Sequence, residues 1–411
     1  MRVLLLSAIF LCIALPAHSQ SQLPDGNGRQ TIQGVCSYCH TLDRVTESRL
    51  TPGEWRDLVN LMVAYGASLR REDTPVVIDY LSKNFKGGPK PKGAVIPGPV
   101  QASIKEWVLP TRGTRPHDPA VAPDGAIWYT GQASDMLGRF DPATNRFKEY
   151  KLSTQKSVTQ PYGAGPHGLV ADKQGSIWFT AQQGGYVGKL DPKTGGVTKY
   201  QMPDPSAKDP HTPIFDQQGT LWFTLQNSDM VGRIVPATGD VKVVRVPTPK
   251  AEPYGIVVSS KGIPYFVELM GHRIASIDPN TMEIKEFILP HADAMPRRIA
   301  LTPDDVVWYT DYARGYLGRF DPKTGKVAEW PSPSGPTSQP YGLTAVGNVL
   351  YYSESNVAPN TVVRFDPATE KMQTWLIPSG GGVVRFMTHG ADGSLWLACS
   401  GVDRIARVEI K

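Results

Sequence analysis

A block of about 44 residues recurs along most of this chain and constrains the fold more than any other feature. Each copy reads Pro, a variable polar residue, an apolar strand, a turn, then Trp-(Phe/Tyr)-Thr and Gly-Arg-Phe-Asp-Pro in its best-preserved forms. Short alternating strands with a turn in every hairpin are typical of β-propeller blades at this repeat length. Counting the copies predicts a mainly β chain that forms a seven-bladed β-propeller over residues 102–411.

The two ends of the repeat array predict how the ring closes. The last copy ends at Lys411 without the outer strand that the other copies have. An isolated segment before the first copy, Ser103 to Leu109, is similar to the outer strands at Phe147–Leu152 and Glu283–Leu289. We expect the strand 102–109 to complete the last blade beside the C-terminus, because closure removes exposed strand edges.

One residue of each copy begins the predicted innermost strand and faces the mouth of the ring. These residues are His117, His167, His211, Tyr254, Arg297, Tyr341 and Arg385. A second position, three residues after the repeated Trp, ends the neighbouring antiparallel strand on the same face and carries Glu268, Asp311 and Glu354 in copies four to six. This predicts imidazoles on one side of the mouth and carboxylates on the other.

Such a mouth has two interpretations. Imidazoles near carboxylates can bind a divalent ion, with Mg²⁺ on the oxygen side, and a neutral His can act as a general base. Alternatively, the strand ends at a propeller mouth are exposed to solvent, where polar residues carry no desolvation penalty and need no function. Three consecutive His at one structural position favour a functional mouth, with His167 and His211 as candidate bases and His117, Arg297, Tyr341 and Arg385 as candidate ligand-binding residues.

The run Cys36-Ser-Tyr-Cys39-His40 is the attachment signature of c-type haem. Cys36 and Cys39 would form thioethers to the porphyrin, and His40 would be the proximal iron ligand. A redox dithiol would need a βαβ setting, and a zinc site would need two further ligands. Between residues 21 and 100 the sequence has no other Cys or His, so the run predicts one haem c.

The segment around this run predicts a small all-α cytochrome c domain over residues 21–86. Thr51-Pro52-Gly53-Glu54 is a capping box with Pro at the first helical position, and a second helix should begin at Thr74-Pro75. Met62 is the only Met in this domain. If a second axial iron ligand of the Met or His type comes from this domain, it is Met62; the alternative is a five-coordinate iron with Met62 packed against the porphyrin.

The termini and composition narrow the remaining classes of function. Residues 1–20 combine Arg2, a short apolar stretch and Ala17-His18-Ser19, which predicts a cleaved signal peptide and a periplasmic protein without a membrane span. Residues 87–101 are rich in Pro, Gly and Lys and predict a surface linker. The net charge of +5 is spread without a basic block, which argues against nucleic-acid binding.

Two resemblances extend this interpretation. The runs CSYCHTLDR, TPGEWRDLVNLM and YLSKNF are similar to the cytochrome domain of quinohaemoprotein amine dehydrogenases, which implies an electron carrier. The repeats resemble the virginiamycin B lyase (streptogramin B lyase) family, which implies a seven-bladed propeller that opens a cyclic depsipeptide by elimination with Mg²⁺, a His and metal-binding Glu residues.

The lyase resemblance implies particular residues. Ala251-Glu252-Pro253-Tyr254-Gly255 is similar to the family motif Ala-Glu-Pro-His-Gly, and Glu268 stands where the family has a second Glu. Tyr254 occupies the position of the catalytic His, which makes it a third candidate catalytic residue. The implied metal ligands are Glu252 and Glu268, to which the mouth pattern adds Asp311 and Glu354 as neighbouring carboxylates.

Three functions therefore compete. The first is an exported monohaem cytochrome whose propeller binds a small ligand or docks a redox partner protein or dehydrogenase. The second is a Mg²⁺-dependent C–O lyase or related hydrolase. The third is a non-catalytic propeller scaffold in a dehydrogenase complex. Elimination needs no haem, so the fusion favours the redox function.

Overall fold

The computed structural model of the protein describes residues 23–38, 42–46, 48–64, 67–152 and 163–411. The chain divides into two compact units, 1–89 and 90–411. The predicted signal peptide, 1–20, lies outside the described residues, as do Cys39 and His40. No helix among the described residues is long and apolar enough to cross a membrane.

The first unit contains small helices around one apolar core. They are α1 (Arg29–Cys36), α2 (Asp43–Thr46), α3 (Pro52–Ala64) and α4 (Thr74–Asn84). The predicted capping box is confirmed: the Thr51 N–H donates to Glu54 Oε2 at 2.9 Å, and the Glu54 N–H donates to Thr51 Oγ1 at 3.4 Å. This reciprocal pair satisfies two amides that begin the helix and so sets the start of α3.

Buried Trp55 holds the core of this unit together. Its indole N–H donates to the carbonyl of Phe85 at 3.0 Å, and the two rings pack edge to face. Ile32 of α1 and Tyr80 and Leu81 of α4 are buried in the same cluster. The unit is helical as the sequence predicts, since its apolar residues recur at helical spacing.

The second unit contains, within the described residues, seven four-stranded antiparallel sheets, each a propeller blade. This confirms the predicted mainly β propeller. The strands of blades one to three are β2 (Pro116–Val121), β3 (Ile127–Gly131), β4 (Met136–Asp141), β5 (Arg146–Lys151), β6 (Pro166–Ala171), β7 (Ile177–Ala181), β8 (Tyr186–Leu190), β9 (Val197–Gln201), β10 (Pro210–Phe215), β11 (Leu221–Leu225), β12 (Met230–Val235) and β13 (Asp240–Arg245).

Blades four to six follow the same order. Their strands are β14 (Pro253–Val258), β15 (Pro264–Glu268), β16 (Arg273–Ile277), β17 (Ile284–Ile288), β18 (Pro296–Leu301), β19 (Val307–Asp311), β20 (Tyr316–Phe320), β21 (Val327–Pro331), β22 (Pro340–Val346), β23 (Val349–Glu354), β24 (Thr361–Asp366) and β25 (Lys371–Leu376). In every blade the first strand of the copy is innermost.

The seventh blade joins the two ends of the propeller. Its strands β26 (Val384–His389), β27 (Leu395–Cys399) and β28 (Arg404–Ile410) come from the C-terminus, and β1 (Ala102–Val108) comes from the start of the array. β1 pairs antiparallel with β28, from Ala102 opposite Ile410 to Val108 opposite Arg404. The outer strand of this blade is therefore supplied from the other end of the sequence.

The repeated Trp residues pack between propeller blades and do not form a ligand site. Trp128 stacks on Tyr150, Trp178 on Tyr200 and Trp308 on Trp330, at ring centroid distances of 5.2, 5.0 and 5.5 Å. All three indoles are buried. They pack in the apolar clusters between neighbouring blades, and this explains why the residue recurs at one strand position.

Most of the predicted linker 87–101 is bound to the propeller and is not a free spacer. The Ile96 N–H donates to Thr374 Oγ1 at 2.8 Å, and the Thr374 N–H donates to the Ile96 carbonyl at 3.0 Å. The amide of Gln373 donates to the carbonyl of Val100 at 2.6 Å. This extended segment lies along the outer strand β25, because that edge strand offers backbone groups that need partners.

Candidate functional site

A β-bulge at the start of each innermost strand builds the mouth. In blade one, Pro116 pairs with Gly131 and Pro119 with Tyr129, so His117 and Asp118 together lie opposite the single residue Thr130. The same register shift recurs in all seven blades. A bulge redirects side chains at the site where it occurs. Each blade therefore presents two consecutive residues to the central axis.

Hydroxyl groups of the repeated Trp-Phe-Thr motif fix these bulges and connect neighbouring blades. Thr130 Oγ1 accepts from the Asp118 N–H at 3.0 Å and donates to the carbonyl of His167 in the next blade at 2.7 Å. Thr180, Thr224 and Thr310 repeat both contacts, one within the blade and one to the mouth residue of the next blade. Ser353 accepts from the Gly342 N–H and donates to the carbonyl of Val384, the residue before the seventh mouth position. The mouth residues are thus held by backbone contacts that the repeat itself supplies.

The three predicted imidazoles lie in one row, with neighbouring rings tilted by 46° and 36°. The His117 and His167 ring centroids lie 3.8 Å apart, and those of His167 and His211 lie 3.6 Å apart. The Tyr254 ring continues the row at 4.1 Å from His211. All four side chains are buried. The structure brings the candidate residues His167, His211 and Tyr254 together.

Beyond Tyr254 the row meets a guanidinium group. The hydroxyl groups of Tyr254 and Tyr341 lie 2.5 Å apart. Arg297 lies 4.0 Å from the Tyr341 ring and 4.2 Å from the Tyr312 ring, and it donates to the Tyr254 hydroxyl at 3.3 Å. A guanidinium over aromatic faces is stabilised by the ring quadrupoles. The candidate ligand-binding residues Arg297 and Tyr341 therefore belong to the same cluster as Tyr254.

A fully buried arginine, Arg298, crosses the axis below this layer. It donates to Asp118 Oδ1 of blade one at 2.7 Å, to Thr212 Oγ1 of blade three at 3.2 Å and to the Arg385 carbonyl of blade seven at 3.1 Å. Because one guanidinium from blade five contacts three other blades, it lies near the axis.

Burial and the arginines determine the protonation of the mouth. Burial lowers the pKa of His117 well below its ordinary value, and the charges of Arg385, Arg298 and Arg297 lower it further. Burial is also the largest cause for the lowered pKa values of His167 and His211. All three imidazoles are neutral at pH 7. The 2.7 Å contact between His117 Nδ1 and Asp118 then places the proton of His117 on Nδ1.

The two coupled phenols shift in opposite directions. Burial raises the pKa of Tyr254 above its ordinary value. Burial also acts to raise the pKa of Tyr341, but Arg297, Arg385 and Arg298 together lower it below the ordinary value for a tyrosine. Tyr341 is therefore the phenol of the pair that loses its proton more easily.

The predicted carboxylate side of the mouth does not face the axis. Asp311 accepts from the Met295 N–H and from Arg314, at 3.0 and 3.1 Å. Glu354 accepts from Ser332, Ser334 and Thr361. Both carboxylates bind the connection that leads from the preceding blade into their own. The bulge explains this difference, because it turns the innermost strand toward the axis while the paired strand end keeps its side chain within the blade.

The other two predicted metal ligands are also apart from the axial row. Glu252 accepts from the Gln226 side chain at 2.8 Å. Glu268 is buried, and neither of its carboxyl oxygens has a hydrogen-bond partner among the described residues. Burial, followed by the charge of Glu286, raises the pKa of Glu268 to about 8. Without a bound cation, this carboxyl is therefore largely protonated at pH 7.

Within the described part of the chain, one group of His, Cys, Asp or Glu has three ligand atoms close enough to share an ion. It consists of His117, Asp118 and His167, whose ligand atoms lie within 4.8 Å of one another. Asp118 Oδ1 already accepts from Arg298, and Mg²⁺ prefers several oxygen ligands. The four predicted carboxylates form no such group. The residues present therefore do not fit Mg²⁺.

Sequence reasoning missed Asp118, Arg298 and Tyr312. The bulge makes the residue after each mouth position an axial residue as well. In the remaining blades that residue is Gly168, Thr212, Gly255, Gly342 or Phe386. The sequence did contain one signal: the residue after the mouth position is charged in only two copies, at Asp118 and Arg298. That signal could be interpreted only after the structure showed the bulge.

In the helical unit, the structure describes two of the four predicted haem residues. Cys36 ends α1, is half-buried and packs against the core cluster together with Leu42 and Leu58. Met62 lies on α3, one turn after Leu58 and thus on the same helix face. The other two, Cys39 and His40, lie outside the described residues.

Comparison with known proteins gives the family of the propeller. The model of the virginiamycin B lyase family matches residues 158–348 and 273–411. A search of curated protein sequences finds no significant match. A solved streptogramin B lyase structure shares 25% identity over 75% of this chain and 98% of its own, with a TM-score of 0.67.

Two further structures show the same fold. Selenomethionine-substituted virginiamycin B lyase from Staphylococcus aureus is 22% identical over 75% of this chain and 99% of its own, with a TM-score of 0.67. The extracellular domain of the putative one component system BT4673 from B. thetaiotaomicron is 16% identical over 71% of this chain and 40% of its own, with a TM-score of 0.56. The match to the family model covers more than half of the chain, which therefore belongs to the virginiamycin B lyase family.

Proposed function

We propose that this protein is an exported c-type cytochrome that transfers electrons and carries a ligand-binding propeller of the lyase family. The observation that carries this proposal is the run Cys36-Ser-Tyr-Cys39-His40, which begins where α1 ends. Among the described residues, Cys36 packs against an apolar cluster, as do the partly buried Leu42 and Leu58. A flat apolar cofactor would cover such side chains.

The residues of this unit have distinct roles in the proposal. Cys36 and Cys39 would attach the porphyrin covalently, His40 would bind the iron, and Met62 would be the second axial ligand. A haem with Met and His ligands supplies reversible one-electron chemistry at a raised potential. Trp55 and the capping box at Thr51 hold α3, and so Met62, in a defined position. Export to the periplasm is supported by the signal-like residues 1–20 and by the extracellular domain among the structural neighbours.

The test is expression with the cytochrome c maturation machinery, followed by a pyridine haemochrome assay and mass spectrometry. One haem per chain, attached through two thioethers, is the expected result. Met62→Ala should remove the absorption band of Met–iron ligation without removing the haem, whereas Met202→Ala in the propeller should not change the spectrum. Colourless protein with unmodified cysteines would overturn the proposal.

A second candidate is C–O bond cleavage at the propeller mouth, which family membership and the Tyr254–Tyr341 pair favour. Elimination needs a base that takes a proton from carbon while the C–O bond breaks. Tyr341 has a lowered pKa and shares a short contact with Tyr254, and Arg297 would stabilise the phenolate. This role contains no step at a metal ion.

Quinupristin, with which a catalytically inactive virginiamycin B lyase was crystallised, is a suitable probe. Ring-opened product formed in EDTA and lost in Tyr341→Phe would support the lyase function. Activity that requires added Mg²⁺ and disappears in Glu268→Gln would show instead that the carboxylates bind an ion. Unchanged quinupristin after prolonged incubation would remove this candidate for that substrate.

A further inference from the structure

Three possible metal ligands meet where blades one and two face the axis. His117 and Asp118 come from β2, and His167 comes from β6. Each offers one ligand atom, and the three atoms lie within 4.8 Å of one another. Their exposed fractions are 2, 1 and 3%, so this is not a chance grouping on a polar surface. Ligand atoms bound to one zinc ion lie up to about 4.2 Å apart, so small side-chain rotations would let these three enclose an ion.

The backbone holds the three residues in a fixed relation to one another. The bulge in β2 turns His117 and Asp118 toward the axis together. Thr130 Oγ1 accepts from the Asp118 N–H at 3.0 Å and donates to the carbonyl of His167 at 2.7 Å. One hydroxyl group therefore connects the ligands of blade one to the ligand of blade two. Support of this kind preorganises a metal site.

His167 provides a ring nitrogen without a partner. Its Nδ1 atom is buried and has no hydrogen-bond partner among the described residues. Buried polar atoms normally have a partner, so this exception requires an explanation. The neighbouring Nδ1 of His117 lies 2.7 Å from Asp118 Oδ1. A nitrogen and an oxygen at this distance can share a proton, and they can equally bind one metal ion between them.

The set of donor atoms determines which class of ion fits. Imidazole nitrogens suit Zn²⁺ and neighbouring transition-metal ions, whereas Mg²⁺ prefers several oxygen ligands. Arg298 donates to Asp118 Oδ1 at 2.7 Å, and carboxylates that bind metal ions commonly accept such a hydrogen bond. The charge of Arg298 also repels a cation. We therefore expect weaker binding than in closed zinc sites with four protein ligands.

We propose that His117, Asp118 and His167 bind one transition-metal ion of the Zn²⁺ class, which joins blades one and two at the axis. The proton that His117 carries on Nδ1 moves to Nε2, and Nδ1 then binds the ion. Arg298 keeps its hydrogen bond to the Asp118 carboxylate. The site shares no residue with the four predicted carboxylate ligands, and it does not depend on whether haem is attached to the other unit.

Titration calorimetry with ZnCl₂ tests this proposal. The purified, untagged protein with its haem attached is first dialysed against EDTA and then against metal-free buffer. We expect one zinc ion to bind per chain with a Kd in the micromolar range, and we expect no measurable binding of Mg²⁺. X-ray absorption at the zinc edge should show nitrogen and oxygen ligands with the outer-shell scattering of imidazole, and no sulfur.

Variants locate the ion. His117→Ala and His167→Ala each remove one ligand and should weaken zinc binding by at least tenfold, since the loss of an outer-shell partner alone costs about 10–100-fold. His167→Gln removes the imidazole and leaves a smaller gap in the row. His291→Ala, at a half-exposed position, is the matched control and should not change zinc binding.

Four results would contradict the proposal. They are the absence of saturable zinc binding, zinc affinity that is unchanged in both alanine variants at the axis, Mg²⁺ binding as tight as zinc binding, and sulfur ligands in the haem-loaded protein. Circular dichroism separates lost binding from lost folding, and His167→Gln decides the result if the alanine variants do not fold.

Failure of haem attachment would be distinguishable from failure of this proposal. A haem-free protein has thiols at Cys36 and Cys39 that can bind zinc themselves. The double variant Cys36→Ala/Cys39→Ala removes these competing ligands. It should still bind one zinc ion at the axis, and loss of all zinc binding in this folded variant would refute the axial site.

Discussion

Two positions of the repeat, the axial position and the strand-end position, lie at the same end of every blade and contact different parts of the propeller. The axial set, which begins with His117 and Asp118, contacts other blades: Arg298 reaches three of them. The strand-end set, which includes Asp311 and Glu354, binds the connection that leads from the preceding blade into its own. Polar groups near the axis therefore contact several blades at once, whereas polar groups one strand further out fix the connection between two consecutive blades.

The largest expected loss of stability follows removal of the charge of Arg298, at the centre of the axial set. Arg298→Met leaves Asp118 buried without its charged partner, which should lower the free energy of unfolding of the propeller by about 3–5 kcal/mol. Urea titration measures this change. The double variant Arg298→Met/Asp118→Asn should recover much of the loss. If Arg298→Met costs as little as the surface control Arg146→Met, the axial pair does not couple the blades.

In the strand-end set, replacement by Gln should stabilise the protein at Glu268 and destabilise it at Glu354. Glu268 has no donor among the described residues, and its raised pKa of about 8 means that the folded state binds a proton that the unfolded state releases above about pH 4.5. Stability therefore falls as the pH rises from about 4.5 to 8. Glu268→Gln should remove this dependence and stabilise the protein at pH 8 by on the order of 3 kcal/mol.

Glu354→Gln provides the matched contrast. The Glu354 carboxylate accepts hydrogen bonds from three hydroxyl groups and one backbone amide, so its replacement should cost about 1–3 kcal/mol. Thermal melts of both variants at pH 6 and pH 8 compare them directly. A destabilised Glu268→Gln protein would show that this carboxyl has a partner that it needs.

The axial imidazoles should make stability rise with pH, opposite to the effect of Glu268. Their pKa values are lowered in the folded state, so the unfolded state binds more protons below about pH 6.5, and stability is lost as the pH falls through that range. His211→Gln should reduce the slope by up to one proton, or about 1.4 kcal/mol per pH unit. His291→Gln, at a half-exposed position, is the control. An unchanged slope would place the acid sensitivity elsewhere.

The smallest expected effect concerns the contact between the blades. Thr180→Val removes a hydroxyl that accepts from Gly168 and donates to the His211 carbonyl, which should cost about 1–2 kcal/mol. Thr198→Val, on the exposed strand β9, should be neutral. Blade four already has Val267 at the equivalent position. If Thr180→Val is as neutral as Thr198→Val, backbone pairing alone holds the bulges.

The sequence by itself determined the number of blades, the position of the axial residues in each copy and the helix starts at Thr51 and Thr74, because strand period, turns and caps are local properties of the chain. It also contained the run Cys36-Ser-Tyr-Cys39-His40, on which the proposal of haem attachment rests. Only the tertiary structure decided which side chains meet. The bulge adds a second axial residue per blade, Arg298 reaches Asp118 from a copy far along the chain, and Glu268, Asp311 and Glu354 turn into their blades. Closure of a ring sets these distances between residues remote in sequence, and no local pattern encodes them.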